Sequence, residues 1–191
     1  MIPRSAITHW NKQVPWEDIA NVEQDLIITR ALTDIFSDEF LASELAFRGG
    51  TALHKLYLAP QPRYSEDIDL VQINPGPIKP ILFRLGEVLD YLPDKVIKPK
   101  RFNNTMLFRI QSEIPPVVQI RLKVEINCYE HLMNLALSRF HFLMRVSGLL
   151  VHVISLPTNW KSYWGQKCER FISARKAATF LTLRMHFRML K

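Results

Sequence analysis

Residues 63–70 read Arg-Tyr-Ser-Glu-Asp-Ile-Asp-Leu, which sets two aspartates, Asp67 and Asp69, one residue apart. In a strand over residues 67–72 side chains alternate between faces, so both carboxylates lie on one side while Ile68 and Leu70 face a core. Neighbouring carboxylates repel unless a cation sits between them. That suits Mg²⁺ (or Mn²⁺) held jointly by protein and substrate phosphates. The glycine and twelfth-position glutamate of a calcium loop are missing, and a single Asp-x-Asp is also what a solvated strand end looks like.

A second group lies upstream, in Phe47-Arg48-Gly49-Gly50-Thr51-Ala52-Leu53. Two glycines between a short strand and a helix let backbone approach an anion closely. The helix start adds free N–H donors and the Thr51 hydroxyl adds another, a combination suited to phosphate. Lys55, one turn on, is within reach of such a phosphate, whereas His54 reads as a surface residue. Taken alone, Gly-Gly at a strand–helix turn is also ordinary turn chemistry.

The third candidate is Glu125 with Lys123 beside it. Val118, Ile120, Leu122, Val124 and Ile126 are apolar, whereas Gln119, Arg121, Lys123, Glu125 and Asn127 are polar. Period two puts the first set in the core and the second on the opposite face. A third carboxylate there can bind a metal or take a proton from an attacking hydroxyl; the plain alternative is a surface Lys/Glu pair.

These groups need scaffolding, and the chain supplies recognisable elements. Pro15, Glu17 and Asp18 mark a helix start before the apolar series Ile19, Val22, Leu26, Leu32, Ile35 and Phe36. A short helix is expected over 38–43, a strand over 45–48, a helix over 51–57 and a strand over 67–72. Pro77 opens a helix with Ile78, Leu82, Leu85, Leu89 and Leu92 on one face. A hairpin with Asn103-Asn104 as its turn joins strands 96–102 and 106–112, followed by the alternating strand 118–127. This order predicts an α+β (α/β-like) fold, a mixed β-sheet with packed helices.

The chain has 191 residues, 48% of them apolar and 10% aromatic, enough for the core of one domain and too apolar for global disorder. Cys128 and Cys168 cannot build a disulfide framework or a four-ligand zinc site, and no apolar segment follows Met1–Ser5, so a reducing cytoplasmic setting is expected. The apolar stretch 140–156 is too short and interrupted for a membrane span. The net charge of +7 is uneven: residues 144–191 hold nine Lys/Arg against Glu169, while the rest is nearly neutral. A basic tail with Trp160 and Trp164 leaves open a nucleic-acid-binding module as an alternative function.

Together, Gly49-Gly50-Thr51-Ala52-Leu53, Arg63-Tyr64-Ser65-Glu66-Asp67-Ile68-Asp69-Leu70 and Lys123-Val124-Glu125-Ile126-Asn127 resemble the AbiEii/AbiGii toxin family over roughly residues 15–140. These are nucleotidyltransferase-like proteins of type IV toxin–antitoxin systems. The resemblance implies a nucleotidyltransferase-like fold with Gly49, Gly50 and Thr51 by the triphosphate and Asp67 and Asp69 on Mg²⁺. Glu125 and Lys123 match the family's second motif, and Ser65 and Lys55 are expected among the nucleotide-binding residues. It further implies an NTP substrate, an RNA acceptor (tRNA in some members) or a protein acceptor, and a cognate antitoxin.

The family pattern continues with a Leu-Glu-Glu-Leu-Leu-Gly-Thr-Lys helix and an Arg-Asp-Leu-Phe-Asp-Leu segment, whose Lys and Asp count as active-site residues; neither is present. In their place stands Asn159-Trp160-Lys161-Ser162-Tyr163-Trp164-Gly165. Written as degenerate codons from the third base of the Asn159 codon, with Ser162 as AGY, this stretch gives YTG, GAA, RAG, YTA, YTG and GGG. Those encode Leu, Glu, Lys or Glu, Leu, Leu and Gly. Continued through Leu183, the shifted frame permits TKMRALYQRKKGRDLFDL at every position. The expectation is a core over residues 1–142 and an out-of-frame, poorly ordered basic tail over 143–191, with the family's C-terminal helical part missing and this chain's own activity in question. A remnant that only binds nucleotide or antitoxin is the alternative.

Overall fold

The computed structural model describes residues 2–57, 61–129, 137–140 and 154–157. Its helices are α1 (Arg4–Asn11), α2 (Ile19–Ser37), α3 (Glu39–Glu44), α4 (Gly49–Tyr57) and α5 (Lys79–Val88). Its strands are β1 (Leu45–Arg48), β2 (Asp67–Gln72), β3 (Val96–Lys98), β4 (Asn103–Gln111), β5 (Gln119–Asn127), β6 (Leu137–Phe140) and β7 (Ile154–Pro157). Five strands form a mixed sheet in the order β1-β2-β5-β4-β3, with β2 and β5 parallel and the other pairs antiparallel. Strands β6 and β7 pair separately as an antiparallel ribbon, β7 falling within the tail read as out of frame; residues 143–153 and 158–191 of that tail lie outside the described residues.

Helix α2 begins where Asp18 accepts a hydrogen bond from the Ala20 N–H at 2.9 Å, so Pro15 and Glu17 precede the helix and Asp18 is its cap. Asp38 ends that helix and caps α3, accepting from the Leu41 N–H at 2.9 Å. The sequence gives little warning of α1. Its Ala6, Ile7 and Trp10 bury against Val22 and Leu26 of α2 in a small second cluster. Helix α2 is therefore covered on both sides, and its opposite face packs through Ile28, Leu32 and Ile35 on the sheet.

The sheet's inner face is apolar. Ile68, Leu70, Leu122, Val124 and Ile126 are fully buried, each contributing about 1.5–3 kcal/mol by leaving water. A slip of one residue in β2 or β5 would turn carboxylates into that core, which fixes the register. The expected hairpin turn is displaced. Pro99, which has no N–H for the ladder, ends β3 at Lys98, and residues 99–102 make the connection. Asn103 and Asn104 open β4 instead, with buried Asn104 donating to Cys128 Sγ at 3.3 Å.

Candidate active site

The register draws a row of polar side chains across the outer face. Arg48 lies opposite Asp69, Asp69 beside Glu125, Glu125 opposite Thr105, and Thr105 opposite Lys98. One step along, Asp67 is beside Lys123. The Lys123 ammonium is 3.0 Å from Glu125 Oε1 and 3.6 Å from Asp67 Oδ2, so one positive charge is shared by two carboxylates. The expectation that Asp67, Asp69, Lys123 and Glu125 share a face agrees with this geometry.

The glycine corner meets the same spot. Gly49 has φ +88°, a conformation that L side chains rarely adopt. A Cβ built there would run into the Asp69 carboxylate, with Asp69 Cγ at 2.9 Å. The start of α4 is thus pressed directly against the acidic pair. At Gly50 an added Cβ would meet only Arg63 Nη2, at 3.7 Å. Arg63 thus places a guanidinium beside the start of α4, which its position in a proline-flanked loop did not signal.

The remaining expected residues divide. Thr51 donates its single hydroxyl proton to the Asp67 carbonyl at 2.9 Å, which ties α4 to the start of β2 rather than offering a donor to phosphate. Lys55 points into the helical layer. Its ammonium is 2.8 Å from Asp25 Oδ1 and 2.8 Å from Thr29 Oγ1, and Asp25 also accepts from Trp10 Nε1 at 3.0 Å. Burial draws the Lys55 ammonium below the usual lysine range and Asp25 opposes that shift. Lys55 therefore fastens α4 to α2 and does not face the glycine corner. Ser65 is buried, and its hydroxyl has no hydrogen-bond partner among the described residues, leaving it available beside Asp67.

The electrostatics describe a site short of positive charge. Burial raises the Asp69 carboxyl, the Glu125 carboxylate raises it further, and Arg48 offsets part of this. Asp67 is likewise raised by burial, with Lys123 opposing and Glu125 adding to the shift. For Lys123 burial acts downward, but its hydrogen bond to Glu125 and the charge of Asp67 prevail and raise it. A divalent cation at Asp67 and Asp69 would relieve this repulsion. Among the described residues no three His, Cys, Asp or Glu side chains form a metal cage by themselves. Two carboxylates completed by phosphate oxygens is how Mg²⁺ is commonly held, and the donor set fits that arrangement.

The sequence model of the family described as nucleotidyl transferase AbiEii toxin, type IV TA system, matches residues 30–158, about two-thirds of the chain. The chain belongs to the AbiEii family. Among solved structures, MenT4, a nucleotidyltransferase toxin from Mycobacterium tuberculosis H37Rv, superposes with a TM-score of 0.57 at 16% identity. That match covers 83% of this chain and 56% of MenT4. JHP933 from Helicobacter pylori matches with a TM-score of 0.47 at 16% identity, covering 83% of this chain and 54% of JHP933. No curated protein sequence matches the chain. The MenT4 superposition shows that the AbiEii chain has a nucleotidyltransferase-like fold, and the chain spans just over half the length of the solved structures it matches. Among the described residues no helix is long and apolar enough to cross a membrane.

Proposed function

We propose that this AbiEii chain binds an NTP with Mg²⁺ or Mn²⁺ at the Gly49–Asp69 corner and that the pocket is the nucleotidyl-transfer half of the toxin's active site. The observation that carries this is the contact of Gly49 with Asp69, with Glu125 in register beside it. Asp67 and Asp69 hold the cation, which when bound neutralises and orients the phosphates. Backbone N–H groups at the start of α4, with Arg63 above them, receive the triphosphate. The Ser65 hydroxyl adds a donor.

In the transfer, an acceptor hydroxyl forms a bond to the α-phosphorus, the bond from that phosphorus to the bridging β-phosphate oxygen breaks, and pyrophosphate leaves. The hydroxyl proton passes to Glu125, which Lys123 holds in place at 3.0 Å. An RNA such as tRNA is the acceptor, and a cognate antitoxin is the neutralising partner.

A second reading is favoured by one observation: the Leu-Glu-Glu-Leu-Leu-Gly-Thr-Lys and Arg-Asp-Leu-Phe-Asp-Leu segments are absent from the sequence. On that reading the chain binds nucleotide without turnover. Incubation with α-labelled NTPs, Mg²⁺ and tRNA separates the two. Label in RNA that disappears in Asp67→Ala supports transfer. Mg²⁺-dependent nucleotide binding without label supports the remnant, and neither result contradicts both.

A further inference from the structure

The outer face of the sheet continues past the acidic pocket. Strand β2 pairs with β5 only from Lys123 onward, whereas β4 and β5 stay paired as far as Gln111 and Gln119. Beyond the pocket the sheet is therefore a two-stranded ribbon. On its outer face the cross-strand pairs run Thr105 with Glu125, Leu107 with Lys123, Arg109 with Arg121, and Gln111 with Gln119. Arg109 and Arg121 are both exposed and stand directly opposite each other. Like charges in that relation are destabilising, and among the described residues neither guanidinium has a carboxylate partner.

The ribbon is a fixed platform. Gln24 of α2 donates to the Arg121 carbonyl at 3.2 Å, and the buried Glu23 carboxylate accepts from the Glu113 N–H at 2.9 Å. Four residues of strand separate Arg121 from Glu125, about 13 Å. The face thus runs from an acidic pocket, through Lys123, to a pair of unneutralised arginines that nothing in the nucleotide site uses.

We propose that Arg109 and Arg121 form a backbone cleat for the acceptor polynucleotide, gripping phosphodiesters a few nucleotides from the end that enters the pocket. This rests on the nucleotidyl-transfer reading for the identity of the occupant. The acidic pocket repels the polyanion and the arginine pair attracts it, so the strand is held by its backbone while only its terminal hydroxyl approaches Glu125. Phosphate contacts of this kind set register and orientation and carry no sequence information.

The test is tRNA binding by the full chain across 50–200 mM salt, without NTP or Mg²⁺, so that it stands apart from nucleotide binding. Arg109→Gln/Arg121→Gln is expected to weaken binding and to reduce the salt slope by about 1.4, the value for two contacts on single-stranded nucleic acid. Arg109→Lys/Arg121→Lys keeps both charges and is expected to keep the slope. An unchanged slope in the glutamine variant, with binding carried by the basic tail, overturns the proposal. Loss of polyglutamate binding in place of tRNA binding also overturns it and assigns the face to an acidic polypeptide. A reduced slope alongside failed nucleotide binding would uphold the cleat and sink only the nucleotide site.

Discussion

Gly49 and Asp69 occupy each other's space: a methyl group on the glycine would overlap the aspartate's carboxylate. One residue closes the turn into α4 and the other sits on β2, so the start of that helix and an aspartate carboxylate are in contact. The positive φ of Gly49 makes this approach possible, and only glycine adopts it without strain.

The two glycines should respond differently to substitution. Gly49→Ala combines a left-handed backbone, costing about 1–2 kcal/mol, with displacement of Asp69. Gly50→Ala meets only Arg63 Nη2 at 3.7 Å. Urea denaturation with nucleotide titration should show Gly49→Ala destabilised by about 2 kcal/mol or more and unable to bind, and Gly50→Ala close to the parent in stability.

Asp69 predicts a pH effect. Its carboxyl is raised in the folded state by burial and by Glu125, so the folded chain holds the proton more tightly than the unfolded chain does. Stability from this group is complete below the unfolded value near pH 3.9 and is lost as pH rises through the folded value. Asp69→Asn should therefore be more stable than the parent at pH 7, with the advantage vanishing below about pH 4. The relief should appear as a Tm above the parent's at pH 7 and equal to it below about pH 4. Nucleotide binding would be lost in the same variant.

Lys55 separates scaffold from site. Lys55→Met leaves the buried Asp25 carboxylate without its cation and should cost about 3–5 kcal/mol. Asp25→Asn/Lys55→Met removes that stranded charge, keeps an acceptor for Trp10 and should recover much of the stability. If Lys55 only fastens α4 to α2, the recovered double variant binds NTP as the parent does. Weakened binding in a stably folded double variant would return Lys55 to the phosphate site.

The frame of the tail is decided by nucleotides. DNA sequenced across codons 140–160 is expected to carry an indel of one or two bases, with the downstream frame encoding the Leu-Glu-Lys/Glu-Leu-Leu-Gly series. A continuous frame without those segments would remove that account of the tail.

Much of the site was legible because it depends on local rules. Period two in residues 119–127 and around Asp67–Asp69 fixes faces without tertiary information, and a Gly-Gly corner marks a conformation that other residues avoid. What escaped reading depends on distance. Lys55 meets Asp25 thirty residues away, and nothing in the sequence near Lys55 signals it. Thr51 has a partner in Asp67 that only the β2 register supplies, and α1 owes its existence to the outer flank of α2. The displaced hairpin is a competition between two turn signals, in which Pro99 ended the strand earlier than Asn103-Asn104 suggested.

Calorimetric titration of the chain with a non-hydrolysable NTP, with and without Mg²⁺, tests the shared pocket most directly. Saturable binding that needs Mg²⁺ and is abolished by Asp69→Asn and by Gly49→Ala is the expected result. Binding that is indifferent to Mg²⁺, or that survives both substitutions in folded protein, would contradict a nucleotide–metal site at the Gly49–Asp69 contact.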